Sequence, residues 1–333
     1  MKEVSKKDEL FFYERHFQSL DGLWMIETEK EIGFEQALDI DLKVWVQLLE
    51  IILRRTKHYL TLEKNSIENF VKILCFRWTV EGWDFELQDD GSLIVHKCPY
   101  EAAMQRNPNR HDKIEAICRD MCIPFYQKIA AKFNPDIKIR RNKHKGLGDE
   151  YCDFQFYFQG KKFPPSEEII TFNPSIEDKL FYFKRNFFTL EDLWVFEVEN
   201  MIDWPTALKI DIAVWQRLNK ILFRRVKRYL EIDGNTLQDL VEIISFCWSC
   251  EGYKYEILKN NSSEAIIHIK ECPYKASMER NPDRYDKIED ICKKMCVPFL
   301  EPALEKFNPQ IKLERKKLLG TPDDYCDFYF ISV

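Results

Sequence analysis

Apolar positions early in the chain recur at helical spacing. Ile40, Val44, Leu48, Ile51 and Ile52 share one face, widened by Trp45, and predict an amphipathic helix. Asn65-Ser66-Ile67-Glu68 is a helix-start signal, and the apolar run behind it predicts a second helix through Trp78. The period then falls to two. Trp83–Leu87 and Leu93–Lys97 flank Asp89-Asp90-Gly91 and predict a hairpin. A helix is expected over Asp112–Met121. Cys122-Ile123-Pro124-Phe125 should interrupt it, a further helix should reach Phe133, and Asn134-Pro135 should stop that one. Strands at Ile137–Arg141 and Tyr151–Phe158 close the pattern. The expected class is α+β, an N-terminal helical part followed by a small antiparallel sheet with packed helices.

The same succession then occurs again. FFYERHFQSLDGLW returns as FYFKRNFFTLEDLW, CPYEAAMQRNPNRHDKIEAIC as CPYKASMERNPDRYDKIEDIC, and YCDF as YCDF. Glu251 follows Glu81 by 170 positions and Cys272 follows Cys98 by 174, so the second copy carries four extra residues, placed near Lys259–Glu264. Insertions of that kind sit in exposed turns. The expected organisation is two tandem homologous domains, 1–160 and 177–333, joined by a Pro-containing linker over 161–176 and packed as an internal pseudo-dimer. A length of 333 residues suits two domains of roughly 150 each.

The duplication also selects among the eleven cysteines. Cys98, Cys118, Cys122 and Cys152 correspond to Cys272, Cys292, Cys296 and Cys326. Cys75, Cys247 and Cys250 face Ser245, Arg77 and Val80 in the other copy and read as small core residues. Cys118 and Cys122 stand one helical turn apart, a spacing suited to two ligands of one metal and unsuited to a disulfide. All-sulfur coordination fits zinc or an iron–sulfur cluster. The expectation is one four-cysteine metal site per repeat. A [4Fe-4S] cluster is the first choice because no histidine joins the set, and Zn2+ is the second.

None of the six histidines is shared between the copies, which argues against a duplicated histidine-based site. No Gly-rich phosphate loop is present. A formal charge of −6 leaves no basic footprint for nucleic acid. No apolar run reaches the ~20 residues of a membrane span. The charged N-terminus reads as free of a signal peptide, so the expected location is cytoplasmic and the thiols are expected to be reduced. Trp78-x-x-Glu81-Gly82 recurs as Trp248-x-x-Glu251-Gly252, and Glu81 and Glu251 are the candidates for proton transfer. Arg54-Arg55 recurs as Arg224-Arg225, a pair able to clamp a carboxylate.

The residues Trp78, Glu81, Gly82, Cys98, Pro99, Cys118, Cys122, Pro124, Asn134, Pro135 and Cys152, with their second-copy partners, carry a resemblance. The chain resembles an uncharacterised family labelled L-2-amino-thiazoline-4-carboxylic acid hydrolase-like, here as a tandem duplication. That resemblance implies hydrolytic opening of a cyclic amidine-like bond. The cysteine spacing is also similar to the cysteine-rich site of 4-vinyl reductase-type ligand-sensing domains, which implies zinc. Three functions stay open: a metal or iron–sulfur protein handling electrons or a small-molecule reaction; a hydrolase of a small nitrogen- and sulfur-containing ring; and a non-enzymatic ligand-binding protein with structural zinc. The expected partner is a small-molecule substrate or a redox protein.

Overall fold

A computed structural model describes residues 3–333. The fold is α+β. The helices are α1 (Lys6–Ile32), α2 (Phe34–Tyr59), α3 (Ile67–Glu81), α4 (Pro99–Gln105), α5 (Ile114–Ala116), α6 (Ile123–Phe133) and α7 (Glu167–Ile170), then α8 (Ile176–Met201), α9 (Trp204–Tyr229), α10 (Leu237–Glu251), α11 (Pro273–Glu279), α12 (Ile288–Lys294) and α13 (Glu301–Phe307). The strands are β1 (Asp84–Leu87), β2 (Leu93–Lys97), β3 (Ile137–Arg140), β4 (Cys152–Phe158) and β5 (Lys161–Phe163), then β6 (Lys254–Asn260), β7 (Glu264–Glu271), β8 (Ile311–Glu314) and β9 (Cys326–Ser332). No helix among the described residues is long and apolar enough to cross a membrane.

The residues group into two compact units. One is Thr28–Met201, the Glu81 unit. The other joins the described residues up to Glu27 to Ile202–Val333, the Glu251 unit. The units therefore differ from the repeats read along the chain: each holds the leading helix of the other repeat. α8 packs on α2 inside the Glu81 unit. There Arg55 Nη1 donates to the Arg185 carbonyl, Asn186 Oδ1 and Thr189 Oγ1, each at 3.0 Å. In the Glu251 unit Arg225 Nη1 donates to the Arg15 carbonyl and to Ser19 Oγ on α1. These arginines tie helices together; they hold no carboxylate clamp. The joints give the physical reason for the exchange. One residue (Gly33) separates α1 from α2 and two (Ile202, Asp203) separate α8 from α9, at or below the shortest loop that folds two helices back on each other. We expect the fragment 28–201 to fold alone by circular dichroism and urea titration, and the fragment 1–176, which lacks α8, to melt non-cooperatively.

Helix α2 buries Ile40, Val44, Leu48 and Ile52 almost completely, with Ile51 at the edge of that face. α3 is buried around most of its girth and forms the centre of its unit. The first sheet runs β1-β2-β4-β3 with β5 beside β4; the second runs β6-β7-β9-β8. All pairings are antiparallel. The four extra residues of the second copy lengthen the β6–β7 hairpin, whose turn Asn261 closes by accepting from the Ser263 and Glu264 amides. The inter-repeat segment is ordered: β5 pairs with β4, α7 packs on α3, and Phe172 meets Phe76 edge-on.

The expected interruption at Cys122-Ile123-Pro124 takes a specific form. Ile117–Cys122 is a π-helical turn that runs directly into α6. Pro124 has no N–H for the Asp120 carbonyl, and the backbone widens so that the Ile123 amide reaches the Cys118 carbonyl. In the second copy the same stretch breaks into turns after α12.

One buried group reports on the Glu251 unit by itself. His16 is fully buried, its ring nitrogens make no well-formed hydrogen bond, and burial lowers it to about 3. A depressed histidine contributes stability present above its ordinary value near 6.5 and lost as pH falls toward 3. Its counterpart Asn186 donates to the Tyr182 carbonyl and accepts from Arg55. His16→Asn is therefore expected to remove acid sensitivity in that window, read as a flatter urea midpoint between about pH 6.5 and pH 4.

Candidate functional site

In each unit the cysteines are brought together by three local devices. The first is the sheet register. Cys152 on β4 pairs with Val95 on β2, and Cys98 follows three residues later as the N-cap of α4. Cys326 pairs with Ile269, and Cys272 caps α11 in the same way. The second is the helix and π-turn that carry Cys118 and Cys122. The third is the loop before the last strand. A side chain at Gly146 would collide with Cys118 Sγ, 2.1 Å from an added Cβ; at Gly320 it would collide with Cys292 Sγ, at 2.4 Å. Only glycine permits that approach.

The thiols of each set sense one another. Burial raises Cys98, and Cys122 and Cys118 add to the shift; burial raises Cys118 to about 12, with Cys122 and Cys152 adding. In the other unit burial raises Cys272 to about 12, with Cys296 and Cys326 contributing. Cys292 donates to Cys296, and that hydrogen bond, helped by Arg315, lowers Cys296 to about 6 against the effect of burial. Among the described residues no group of three or more His, Cys, Asp or Glu side chains stands ready to hold a metal ion. The sulfurs of a set lie close enough to raise one another's titration.

Backbone amides point at the sulfurs. Lys145 N–H donates to Cys152 Sγ at 3.2 Å and Leu319 N–H to Cys326 Sγ at 3.1 Å. Amides of Tyr100 and Glu101 lower Cys98 against its burial, as Lys275 does for Cys272. An arginine completes each set. Arg141 Nη1 donates to Cys122 Sγ at 3.3 Å, and its guanidinium lies 4.2 Å from the Phe154 ring centre. Arg315 donates to the Cys296 and Asp327 carbonyls and lies 3.9 Å from the Phe328 ring centre. Burial lowers Arg141, and the Cys122 and Cys152 sulfurs outweigh it. Arg141 Nε and Arg315 Nη2 are buried without a partner. Neither arginine has a carboxylate at ion-pair distance among the described residues.

Glu81 and Glu251 end α3 and α10, and Gly82 and Gly252 stop those helices in the left-handed conformation. A carboxylate at a helix C-terminus meets the negative end of the helix dipole, so each needs compensation. Glu81 receives four donors: Arg77 Nε at 2.9 Å, Trp83 Nε1 at 2.9 Å, Tyr100 OH at 3.2 Å and Tyr182 OH. Both members of the Arg77–Glu81 pair are almost wholly buried, with side-chain exposures of 3% and 0%. Glu251 receives Tyr274 OH at 2.9 Å, and burial raises it to about 8. The candidate acids thus lie beside their cysteine sets, joined to them by Tyr100 and Tyr274, each two residues beyond the first cysteine.

Sequence reasoning did not single out Arg141 and Arg315, Gly146 and Gly320, or Tyr100 and Tyr274. The signal that selects the cysteines, identity at equivalent positions of both copies, selects these as well.

Residues 5–157 are similar to a family described as a family of unknown function (DUF6125). No curated protein and no solved structure matches the chain.

Proposed function

We propose that each repeat holds one metal centre through four cysteines, Cys98, Cys118, Cys122 and Cys152 in one and Cys272, Cys292, Cys296 and Cys326 in the other. The observation that carries this reading is the arginine of each set. Arg141 and Arg315 are half-buried and face sulfur and no carboxylate, and each buries a guanidinium nitrogen without a partner, which is costly without counter-charge. Four thiolates around a metal supply that charge; four neutral thiols do not. The amides aimed at Cys152 and Cys326 belong to the same design, because N–H···S bonds stabilise metal-bound thiolates and tune cluster potentials.

The centre is a [4Fe-4S] cluster in the first reading and Zn2+ in the second. The protein handles electrons or a small-molecule reaction in the reducing cytoplasm, with a redox partner or a small substrate. Hydrolysis of a small nitrogen- and sulfur-containing ring is a second reading, favoured by Glu251, a half-buried acid that desolvation raises to about 8. The test is anaerobic purification with a visible spectrum and elemental analysis. Two iron–sulfur centres per chain, with broad absorption near ~400 nm, support the cluster. Two zinc ions in a colourless protein support the zinc form. A chain that takes up neither iron with sulfide nor zinc overturns the proposal.

A further inference from the structure

The two units build the same aromatic box beside the retained glutamate. In the Glu81 unit the Trp45 ring on α2 meets Tyr100 on α4 edge-on at 5.3 Å and Phe125 on α6 at 6.3 Å, with interplanar angles of 88° and 84°. In the Glu251 unit the Trp215 ring on α9 meets Tyr274 on α11 at 5.7 Å and Phe299 at 6.3 Å, at 86° and 89°. One tyrosine of each box donates to the carboxylate, Tyr100 to Glu81 at 3.2 Å and Tyr274 to Glu251 at 2.9 Å. The walls and the anion are therefore alike.

The contents differ. Arg77 fills the first box. Its guanidinium carbon lies 5.2 Å from the Trp45 ring centre and 5.7 Å from that of Phe125, and its Nε donates to Glu81 at 2.9 Å. Aromatic faces and a carboxylate both attract a guanidinium. The residue at the equivalent position of α10 is Cys247. Its side chain stops at the γ atom, where arginine goes on for the length of a methylguanidinium. Two further neighbours of the glutamate are smaller as well, with Tyr253 in the place of Trp83 and Phe12 in that of Tyr182. The second box is also more open to water: Glu81 and Phe125 are buried, whereas Glu251 and Phe299 are half-buried. Among the described residues no cation stands at ion-pair distance from Glu251. Burial then raises that carboxyl to about 8, and a cation beside it would offset the cost of its charge as Arg77 does for Glu81.

We propose that the Glu251 box binds the guanidinium group of a ligand, and that Arg77 occupies the same place in the Glu81 unit as a built-in copy of that group. The ligand's cation lies against Trp215 and Phe299 with Glu251 as its anion, as Arg77 lies against Trp45 and Phe125 with Glu81. The units thus differ in role: the Glu81 box is self-occupied and closed, and the Glu251 box receives. This goes beyond the cysteine-centre reading and holds whether or not the sulfurs coordinate a metal. An anionic ligand is repelled by Glu251. Urea, which shares the planar shape of guanidinium, lacks the charge that both attractions need.

The test is calorimetric titration of the full chain with methylguanidinium at millimolar concentration, with urea as the neutral control. One equivalent of methylguanidinium is expected to bind, about tenfold or more tighter than urea. Cys247→Arg, which copies the Glu81 unit, should abolish binding and raise the melting temperature. Glu251→Gln should weaken binding about tenfold. Arg77→Cys should empty the first box, raising the stoichiometry from one to two, and methylguanidinium should restore part of the melting temperature lost. Agmatine and a blocked arginine tripeptide carry the same group on a free molecule and on a peptide, and the tighter of the two names the source. Binding of none of the three probes by wild type, equal binding of urea, or binding that survives Cys247→Arg overturns the proposal. If Arg77→Cys does not fold, Cys247→Arg and Glu251→Gln still decide. Metal content measured on the same samples reports the cysteine centres separately, so either reading can fail alone.

Discussion

Cys118→Ser is expected to reduce the bound metal from two equivalents per chain to one and to destabilise the Glu81 unit more than any other single change. A structural metal–thiolate site contributes on the order of 10 kcal/mol to folding, which approaches or exceeds the whole stability of an ordinary domain, about 5–15 kcal/mol. Cys118 is the sensitive position because Gly146 packs against its sulfur, and the same loop delivers the Lys145 amide to Cys152. Losing the centre therefore loosens the loop, β4 and the end of β2 together. Elemental analysis and urea unfolding of the variant, with and without a chelator, measure the effect. Equal metal content and an unchanged urea midpoint would remove the centre from the account of this protein. Gly146→Ala is expected to weaken metal binding by steric means alone, with all four sulfurs present.

Arg77→Leu is expected to give the second-largest loss. Removing one partner of a buried ion pair costs about 3–5 kcal/mol, because the other charge is left without compensation in a low-dielectric site. Glu81 would then resemble Glu251, which stands at the same helix end without a cation and is raised to about 8 by burial. The sign of the pH dependence follows. An acid raised in the folded state is most favourable to folding below its ordinary value near 4.5, and that contribution is lost as pH rises through the raised one. Arg77→Leu should therefore be mildest in weak acid and worst above about pH 8. Urea midpoints at several pH values test this, and a loss that does not grow with pH would count against the Arg77–Glu81 pair as the cause. Adding Tyr182→Phe and Trp83→Tyr, to copy the Glu251 unit, should leave the pH dependence in place.

Much of the local architecture was legible in the chain. Period-two alternation at Trp83–Leu87 and Leu93–Lys97 identifies the hairpin, because strand pleating sets that period regardless of context. Ile40, Val44, Leu48 and Ile52 identify the α2 face for the corresponding reason in helices. The exchange of leading helices between the repeats was not legible. α1 and α8 have much the same apolar pattern, and either fits the α2 or α9 surface. The joints at Gly33 and at Ile202-Asp203 are too short to fold each leading helix back on the helix that follows it, and that decides which surface each meets. The ordered β5 and α7 were missed because Pro164, Pro165 and neighbouring charges suppress any periodic signal, while pairing with β4 and packing on α3 supply the order.

The chain by itself determined that there are two copies of one α+β unit, that four cysteines and a glutamate recur in each, and that the remaining three cysteines belong elsewhere. Comparing the copies was enough for this, since covalent sequence fixes residue identity and spacing. The tertiary structure decided the environments. It placed Arg77 and Tyr182 on Glu81, while among the described residues Tyr274 is the donor at Glu251, where burial raises the carboxyl to about 8. Charge state depends on which donors and how much water lie within a few ångströms, and residues 101 positions apart, such as Glu81 and Tyr182, meet only once the helices have packed.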